Sequence, residues 1–251
     1  MHPDLFTLGP FTLHTYGLLV AIGMVLAAVF AQRAAVRLGI SSDTFWDLAL
    51  WIILGGMVGA RLTYVLVTWK EFAHNWAGIF RIWDGGLVFY GGFAGGIAAG
   101  GWFIRRHRLP FWKLADVVAP YIPLAHTFGR FGCFFAGCCY GRESQAWGLV
   151  FPALGDNVPR LPTQLYEAGF NALLFLFLFL RRKKSRPAGR LFWLYVGLYA
   201  AWRFGVEFLR GDEIRGSVLW PWLHTSQLLA LVGLGLAIAF WIFLGKRDKH
   251  A

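Results

Sequence analysis

Long apolar stretches separated by short polar connections set the pattern of this chain. They fall near 13–32, 45–67, 86–104, 114–136, 163–180, 190–209 and 223–244. Each approaches the roughly 20 residues a helix needs to cross a bilayer. The fifth, from Tyr166 to Leu180, and the seventh are almost free of polar side chains, the third is rich in glycine, and Pro120 and Pro123 interrupt the fourth. The pattern predicts an all-α membrane protein of about seven transmembrane helices, one integral membrane domain over residues 1–251. The longest outer connection, about 137–162, mixes Gly, Pro, Arg and acids and predicts an ordered loop over an outward-facing site. No internal repeat or detachable soluble domain interrupts the pattern.

Composition supports this reading. Charged residues make up 15% of the chain, well under the roughly 25% of a soluble domain. Lys and Arg number 24 against 13 Asp and Glu, but they sit in short clusters between apolar runs and form no continuous stripe. Nucleic acid is therefore excluded as a partner, and the charge reads as topology. One set of connections holds Arg33, Arg37, Arg105, Arg106, Arg108, Lys113, the run Arg181-Arg182-Lys183-Lys184 with Arg186 and Arg190, and Lys246, Arg247 and Lys249. The alternate set holds Lys70, Arg81, Arg142, Arg160, Arg210 and Arg215, with Glu71, Asp84, Glu143, Asp156, Asp212 and Glu213 among them. Fifteen basic residues against six place the N-terminus outside and the C-terminus in the cytoplasm by the positive-inside rule. The opening MHPDLFTLGP lacks the basic start and small-residue cleavage site of a signal peptide, so the first apolar run is expected to stay as an anchor. Trp69, Trp76, Trp83, Trp112, Trp193, Trp220 and Trp222 recur near run ends, as in an interfacial belt.

Charges inside apolar spans cost from about 2.5 kcal/mol upward and mark functional positions. Arg61, Arg130 and Arg203 lie in or at the edges of such spans. Glu207 stands one turn beyond Arg203, so that pair satisfies itself at i, i+4 on the plainest reading. Arg130 has no acid within four residues and needs a partner from elsewhere, a protein carboxylate or an anionic ligand. The three arginines fall in the outward halves of their helices. Their convergence would make a phosphate site, since a guanidinium grips phosphate through a bidentate fork. Glycine pairs around Tyr90 (Gly85-Gly86 and Gly91-Gly92) and the run from Gly129 through Gly137 to Gly141 serve close helix packing or backbone approach to an anion. His14, Tyr16, Tyr90, Gln164 and Tyr199 add polar groups near the outward ends of spans.

The three cysteines, Cys133, Cys138 and Cys139, crowd into one segment. Their C-x₄-C-C spacing matches no standard zinc or iron–sulfur pattern, and no metal ligand set is predicted. Small apolar packing, an inert disulfide or a thiol-redox centre are the readings left to them.

These residues resemble the prolipoprotein diacylglyceryl transferase family of the bacterial inner membrane. The likeness runs through His14-Thr15-Tyr16-Gly17-Leu18, Trp83–Gly92, Gly129-Arg130-Phe131-Gly132, Pro162-Thr163-Gln164-Leu165-Tyr166-Glu167, Tyr199–Arg203, Val206-Glu207-Phe208 and Arg210, in family order. It implies transfer of the diacylglyceryl group from phosphatidylglycerol to the lipobox cysteine in the signal peptide of a preprolipoprotein. The product is a thioether, glycerol phosphate leaves, and the active site faces the periplasmic leaflet. It also implies roles for residues. Arg130 and Arg203 match the family's two essential arginines, Tyr16 and Tyr199 its motif tyrosines, Gly141 the glycine closing the signature, and Glu207 the glutamate after the second arginine. Gln164 and His14 belong to matched blocks and join the substrate-binding set.

Three departures stand out. Cys133-Phe134-Phe135-Ala136-Gly137-Cys138 replaces a segment that usually carries two Asn and an acid, and the Gly-Cys-Cys-Tyr-Gly form resembles a variant of the signature. Tyr90 stands where a histidine has been proposed as base, and Leu161 where the family often has His. A cysteine thiol attacks only as thiolate, and charge gathers on the leaving phosphate, so Arg130 and Arg203 are assigned to the phosphate and Tyr16 and Tyr199 to orienting it. Tyr90 is the base candidate, although its pKa near 10 must fall for that role. No cofactor is expected. A phospholipid-binding paralogue without transferase chemistry, and a thiol-redox protein using the three cysteines, are the rival readings.

Overall fold

The computed structural model describes the chain except residues 1–3, 9–10, 73–75, 82–84, 184–186, 212–216, 221–222 and 249–251. Trp83, Asp84, Lys184, Arg186, Asp212, Glu213, Arg215, Trp222 and Lys249 therefore lie outside the described residues. The protein is mostly helical. Its long helices are α1 (Thr15–Val36), α2 (Ser42–Val67), α4 (Phe89–Arg106), α6 (Tyr121–Ala136), α7 (Thr163–Arg181), α8 (Arg190–Val206) and α9 (Thr225–Asp248), with short α3 (Trp69–Phe72) and α5 (Phe111–Val118). Among the described residues, α1, α2, α7 and α9 are long and apolar enough to cross a membrane.

Each predicted apolar run finds a helix at its position, with two adjustments. The fourth run is two helices, α5 and α6, because the chain breaks at Ala119-Pro120. Proline at 120 has no N–H to donate, and Pro123 falls in the first turn of α6, where a missing donor costs nothing. Three antiparallel two-stranded pairs were not foreseen: β1 (Asp4–Leu8) with β2 (Phe11–His14), β3 (Leu149–Val150) with β4 (Pro159–Arg160), and β5 (Ser217–Trp220) with β6 (Leu223–His224). They are too short for an alternating pattern to be read.

The chain forms two compact units, one of residues 1–31 with 115–251 and one of residues 32–114. In the smaller unit, α2 begins at Ser41, whose hydroxyl accepts from the Thr44 amide at 3.1 Å, an N-cap that satisfies an orphan donor. Its glycines face those of α4. A Cβ added at Gly59 would strike the Gly91 carbonyl, and one at Gly95 the Gly55 carbonyl. Backbone therefore packs on backbone, the small-residue contact expected of helices in lipid.

In the larger unit, Leu174, Leu178 and Leu191 form a buried cluster between α7 and α8, flanked by Phe170, Leu194, Tyr195 and Tyr199. The Asp116 carboxylate of α5 accepts from the Gly189 amide at 2.7 Å and the Phe192 amide at 2.8 Å. It thus caps the N-terminus of α8, where the helix dipole favours an anion. This contact ties α5 to α8, and the tyrosine and arginine that α8 carries are placed by it.

Candidate functional site

The larger unit gathers a polar cluster where α6, α7 and the end of α8 meet. At its centre is Glu167 of α7, with no exposed surface. Arg130 Nη2 of α6 reaches one of its carboxylate oxygens at 2.8 Å, and Arg210 Nη1 approaches the other at 3.6 Å. These are ion pairs without the alignment of hydrogen bonds, since neither buried oxygen of Glu167 receives a well-directed donor. Arg130 Nε also donates to His126 Nε2 at 3.3 Å. An accepting Nε2 makes His126 the neutral tautomer with its proton on Nδ1.

Tyr199 of α8 closes the cluster from the other side. Its ring centroid lies 5.3 Å from that of His126 and 6.0 Å from that of Tyr195, and its hydroxyl is within hydrogen-bonding reach of Arg130. Arg203, one turn further along α8, pairs with buried Glu207 at 2.9 Å. The charges of both Arg130 and Arg203 bear on His126 and on Tyr199. Among the described residues of this cluster, three guanidinium groups (Arg130, Arg203, Arg210) thus meet two carboxylates (Glu167, Glu207). Arg203 Nη1 is buried with no hydrogen-bond partner among the described residues.

The convergence expected of three arginines is corrected in two respects. Arg61 belongs to the smaller unit, and its guanidinium is taken up by backbone carbonyls: Ile79 at 2.8 Å, Gly78 at 2.6 Å, Gly85 at 2.7 Å and Gly86 at 3.2 Å. It pins the segment before α4. Gly85 and Gly86, at φ +85° and +71°, turn their carbonyls to this arginine, whereas their amides had been considered for an anion. Arg130 and Arg203, in turn, each have a carboxylate partner. For Arg203 this is the self-satisfied i, i+4 pair that spacing suggested.

The remaining residues singled out in the sequence are placed as follows. Tyr16, at the start of α1, is 46% exposed and lies in the field of Arg130 and of all three cysteines. A Cβ at Gly132 would come within 3.1 Å of its ring, so that glycine leaves room for it. Gly141 forms a bridge with Arg210 and donates to the Leu161 carbonyl at 2.7 Å. A Cβ there would meet the Leu209 carbonyl at 2.6 Å and Leu161 Cβ at 2.7 Å. Gln164 is fully buried and donates to the Cys138 carbonyl at 2.6 Å, while its Oε1 has no hydrogen-bond partner among the described residues. His14 sits on the exposed β1–β2 pair, 2.6 Å from the Asp4 carboxylate, and makes no contact with the arginine cluster among the described residues. Tyr90 lies on α4 in the smaller unit, 57% exposed, its ring against Phe89.

Glu167 entered the sequence reading only as the last residue of the matched block Pro162–Glu167, and His126 not at all. The signal for both was available: each lies within an apolar run, and His126 precedes Arg130 by one helical turn. The connection 137–162 is knit by backbone hydrogen bonds. Hydrogen bonds run from Leu161 to the Arg142 carbonyl at 3.0 Å, from Arg142 to that of Leu209 at 2.8 Å and from Gly211 to that of Tyr140 at 3.3 Å. Phe151 is buried beneath them. On its surface, the Arg160 guanidinium grips the Asp156 carboxylate at 2.7 and 2.8 Å and holds that carboxyl below its usual range.

The cysteines are also brought together. Helix α6 ends on Gly137 in the left-handed region at φ +71°. The Gly137 amide donates to the Phe134 carbonyl at 3.2 Å and the Cys138 amide to the Cys133 carbonyl at 3.1 Å, the double closure of a Schellman cap. That closure folds Cys138 back onto Cys133. Cys139, at φ +62°, turns inward as well, and the three sulfurs lie within 4.8 Å of one another. No disulfide joins them. Thiol donors from Cys133 and Cys138, followed by the charges of Arg210 and Arg130, draw the Cys139 thiol well below the usual range.

Comparison with known proteins bears on this arrangement. The profile of the prolipoprotein diacylglyceryl transferases matches residues 3–243. The chain belongs to this family. A phosphatidylglycerol–prolipoprotein diacylglyceryl transferase of Chromohalobacter salexigens is 39% identical over 247 residues, covering 94% of this chain and 91% of the relative. Proteins of the same name from Trichormus variabilis and Pseudomonas paraeruginosa are 35% and 36% identical, each covering 98% of this chain and 91% and 94% of their own lengths. Family membership thus spans both compact units and includes the cysteine-bearing segment.

Proposed function

We propose that the cluster of Arg130, Glu167, Tyr199, Arg203 and Arg210 binds the phosphate of phosphatidylglycerol for diacylglyceryl transfer. The chain is a prolipoprotein diacylglyceryl transferase, a membrane enzyme of lipoprotein biosynthesis. The acceptor is the lipobox cysteine in the signal peptide of a preprolipoprotein, whose sulfur displaces glycerol phosphate from the glyceryl carbon. The carrying observation is the buried Arg203 Nη1, which has no hydrogen-bond partner among the described residues. A buried donor left unmade costs about 1–3 kcal/mol, more when charged, and an incoming phosphate oxygen relieves that cost. Because charge builds on the phosphate as its bond to carbon breaks, donors already aimed at it favour the transition state over the ground state.

Tyr199 and Tyr16 orient the headgroup, and Gly141 and Gln164 hold the loop and α7 against one another beside it. On the same α8 that carries Tyr199 and Arg203, a cleft of about 330 Å³ is lined by Leu194, Leu198, Ala201 and Ile238 of α9 among others. Its apolar walls suit acyl chains. In the membrane, seven spans with the N-terminus outside and the C-terminus in the cytoplasm agree with the distribution of basic residues, and place the cluster toward the outer leaflet of the inner membrane.

Rescue of a transferase-depleted bacterium tests the reading. The intact chain restores growth and lipoprotein processing, and Arg203→Gln, which removes the free donor, does not, although it accumulates in the membrane. If the intact chain fails to rescue and purified protein transfers nothing from labelled phosphatidylglycerol, the chain is the lipid-binding paralogue and not the enzyme.

A further inference from the structure

The reaction needs a thiolate, and the cluster that binds phosphate supplies no base for it. His126 Nε2 is engaged by Arg130. Beside the cluster is a group of three sulfurs. We propose that Cys133, Cys138 and Cys139 hold a Zn(II) ion whose fourth position takes the cysteine sulfur of the substrate.

The geometry is close to that of a bound ion. Tetrahedral zinc with Zn–S bonds of about 2.3 Å needs sulfurs roughly 3.8 Å apart. The three lie within 4.8 Å, so each sulfur moves by less than about 1 Å. Cys138 is exposed, and its Sγ lies 3.7 Å from the Cys133 carbonyl beside the other two sulfurs.

The backbone is built to hold this arrangement. Cys139 keeps a left-handed conformation that a side-chain-bearing residue rarely adopts, and such strain persists only where the surroundings enforce it. Here they do. Two fully buried side chains at the start of α7 fix the vicinal pair from behind. Thr163 Oγ1 donates to the Cys139 carbonyl at 2.9 Å and Gln164 Nε2 to the Cys138 carbonyl at 2.6 Å. Backing of this kind, which orients ligands through their own hydrogen bonds, is what metal sites require beyond the ligands themselves.

Ligand number selects the chemistry. Thiolates favour soft or borderline ions such as zinc. Three protein ligands with no fourth His, Cys, Asp or Glu in the group among the described residues make an open site, and an open site is the mark of catalytic zinc, in contrast to the closed four-ligand structural kind. Coordination deprotonates an incoming thiol outright. The step balances without any further reactant. The thiol proton leaves to water as the sulfur binds zinc, the sulfur's electron pair forms the C–S bond, the C–O bond to phosphate breaks, and glycerol phosphate departs with the electron pair of the C–O bond. Zinc stays divalent. Arg130 and Arg210, whose charges reach Cys139, would offset the anionic sulfurs and hold nucleophile and leaving group side by side.

This inference rests on the transferase reading, and its test separates the two. The full chain, purified in detergent without reductant or chelator, is dialysed against Zn(II) and its metal content measured, then reloaded with Co(II) for absorption spectroscopy. About one zinc per chain is expected, and Cys139→Ser should lower the affinity at least about ten-fold. If that variant fails to fold, chelation and reloading of the unaltered chain replace it. The thiolate-to-Co(II) band should change on adding a lipobox peptide with cysteine and stay constant with its serine counterpart. Transfer from phosphatidylglycerol should fall about 100-fold or more in zinc-free protein and return with zinc. The proposal is overturned by substoichiometric metal, by a disulfide whose reduction restores no metal binding, or by a band indifferent to the cysteine peptide. Equal transfer with and without zinc overturns it too and leaves the transferase reading standing. Absence of transfer in both forms removes the transferase reading, and the Co(II) spectrum then decides the site alone.

Discussion

Replacing Glu167 by Gln removes the one carboxylate that two buried arginines share. The shape of the side chain is kept, and the charge is not. Arg130 at 2.8 Å and Arg210 at 3.6 Å then lose the carboxylate they share, and Glu167 itself has no exposed surface through which water could compensate. At an effective dielectric near 20, unit charges about 4 Å apart interact by about 4 kcal/mol, and breaking a buried pair from one side costs about 3–5 kcal/mol. The amide oxygen of Gln still accepts a hydrogen bond, which puts the expected loss near the low end, about 3 kcal/mol. For a chain of this size that lowers Tm by roughly 6–12 °C. Thermal unfolding in detergent, followed by the tryptophan signal, measures it. The double variant with Arg210→Met relieves the uncompensated charge, so its loss should be smaller than the sum of the single losses by at least about 1 kcal/mol. An unchanged Tm for Glu167→Gln, or strict additivity in the cycle, would refute the account of Glu167 as the shared counter-ion.

Arg61→Met removes the guanidinium donor from the Ile79, Gly85 and Gly86 carbonyls and from that of Gly78, which keeps the Arg81 amide at 3.1 Å. At about 1 kcal/mol or more for each that water does not reach, it should destabilise the smaller unit, seen as faster hydrogen exchange at residues 78–88 with α6–α8 unchanged. Gly141→Ala forces a Cβ against the Leu209 carbonyl and Leu161, and should cost about 1–3 kcal/mol together with protease sensitivity in the 137–162 connection. Tyr90→Phe should retain transfer within about two-fold, since the general base term of about 10²–10⁴ is not assigned to it. A loss of that size in steady-state transfer would restore Tyr90 as base. Arg130→Lys keeps a charge but lacks the planar fork that serves Glu167, His126 and Tyr199 together, and kcat should drop by about ten-fold or more with membrane accumulation intact.

What could be read along the chain depended on how local the physical cause was. The apolar runs of α1, α2, α7 and α9 were plain because lipid constrains every residue of a span to be apolar. The i, i+4 pairing of Arg203 with Glu207 was plain because helix geometry alone makes them neighbours. The division of the fourth run into α5 and α6 was legible in Pro120. By contrast, Arg61 and Arg130 looked alike in sequence, each a cation in an apolar span, yet one binds carbonyls and the other a carboxylate. The C-x₄-C-C spacing looked unsuited to a metal, although Gly137, a strong C-cap signal, already implied that the chain doubles back there.

The sequence by itself determined that this chain must live in a membrane as helices, in what order they come and which residues are too costly to be idle. Burial in lipid sets those choices position by position. Only the tertiary structure decided which side chains far apart in sequence meet: Arg130 and Arg210 on Glu167, and Tyr199 beside His126. Depth along a helix follows from residue number, but the lateral position of a side chain follows from how helices turn about their axes and pack, which no spacing within one helix encodes.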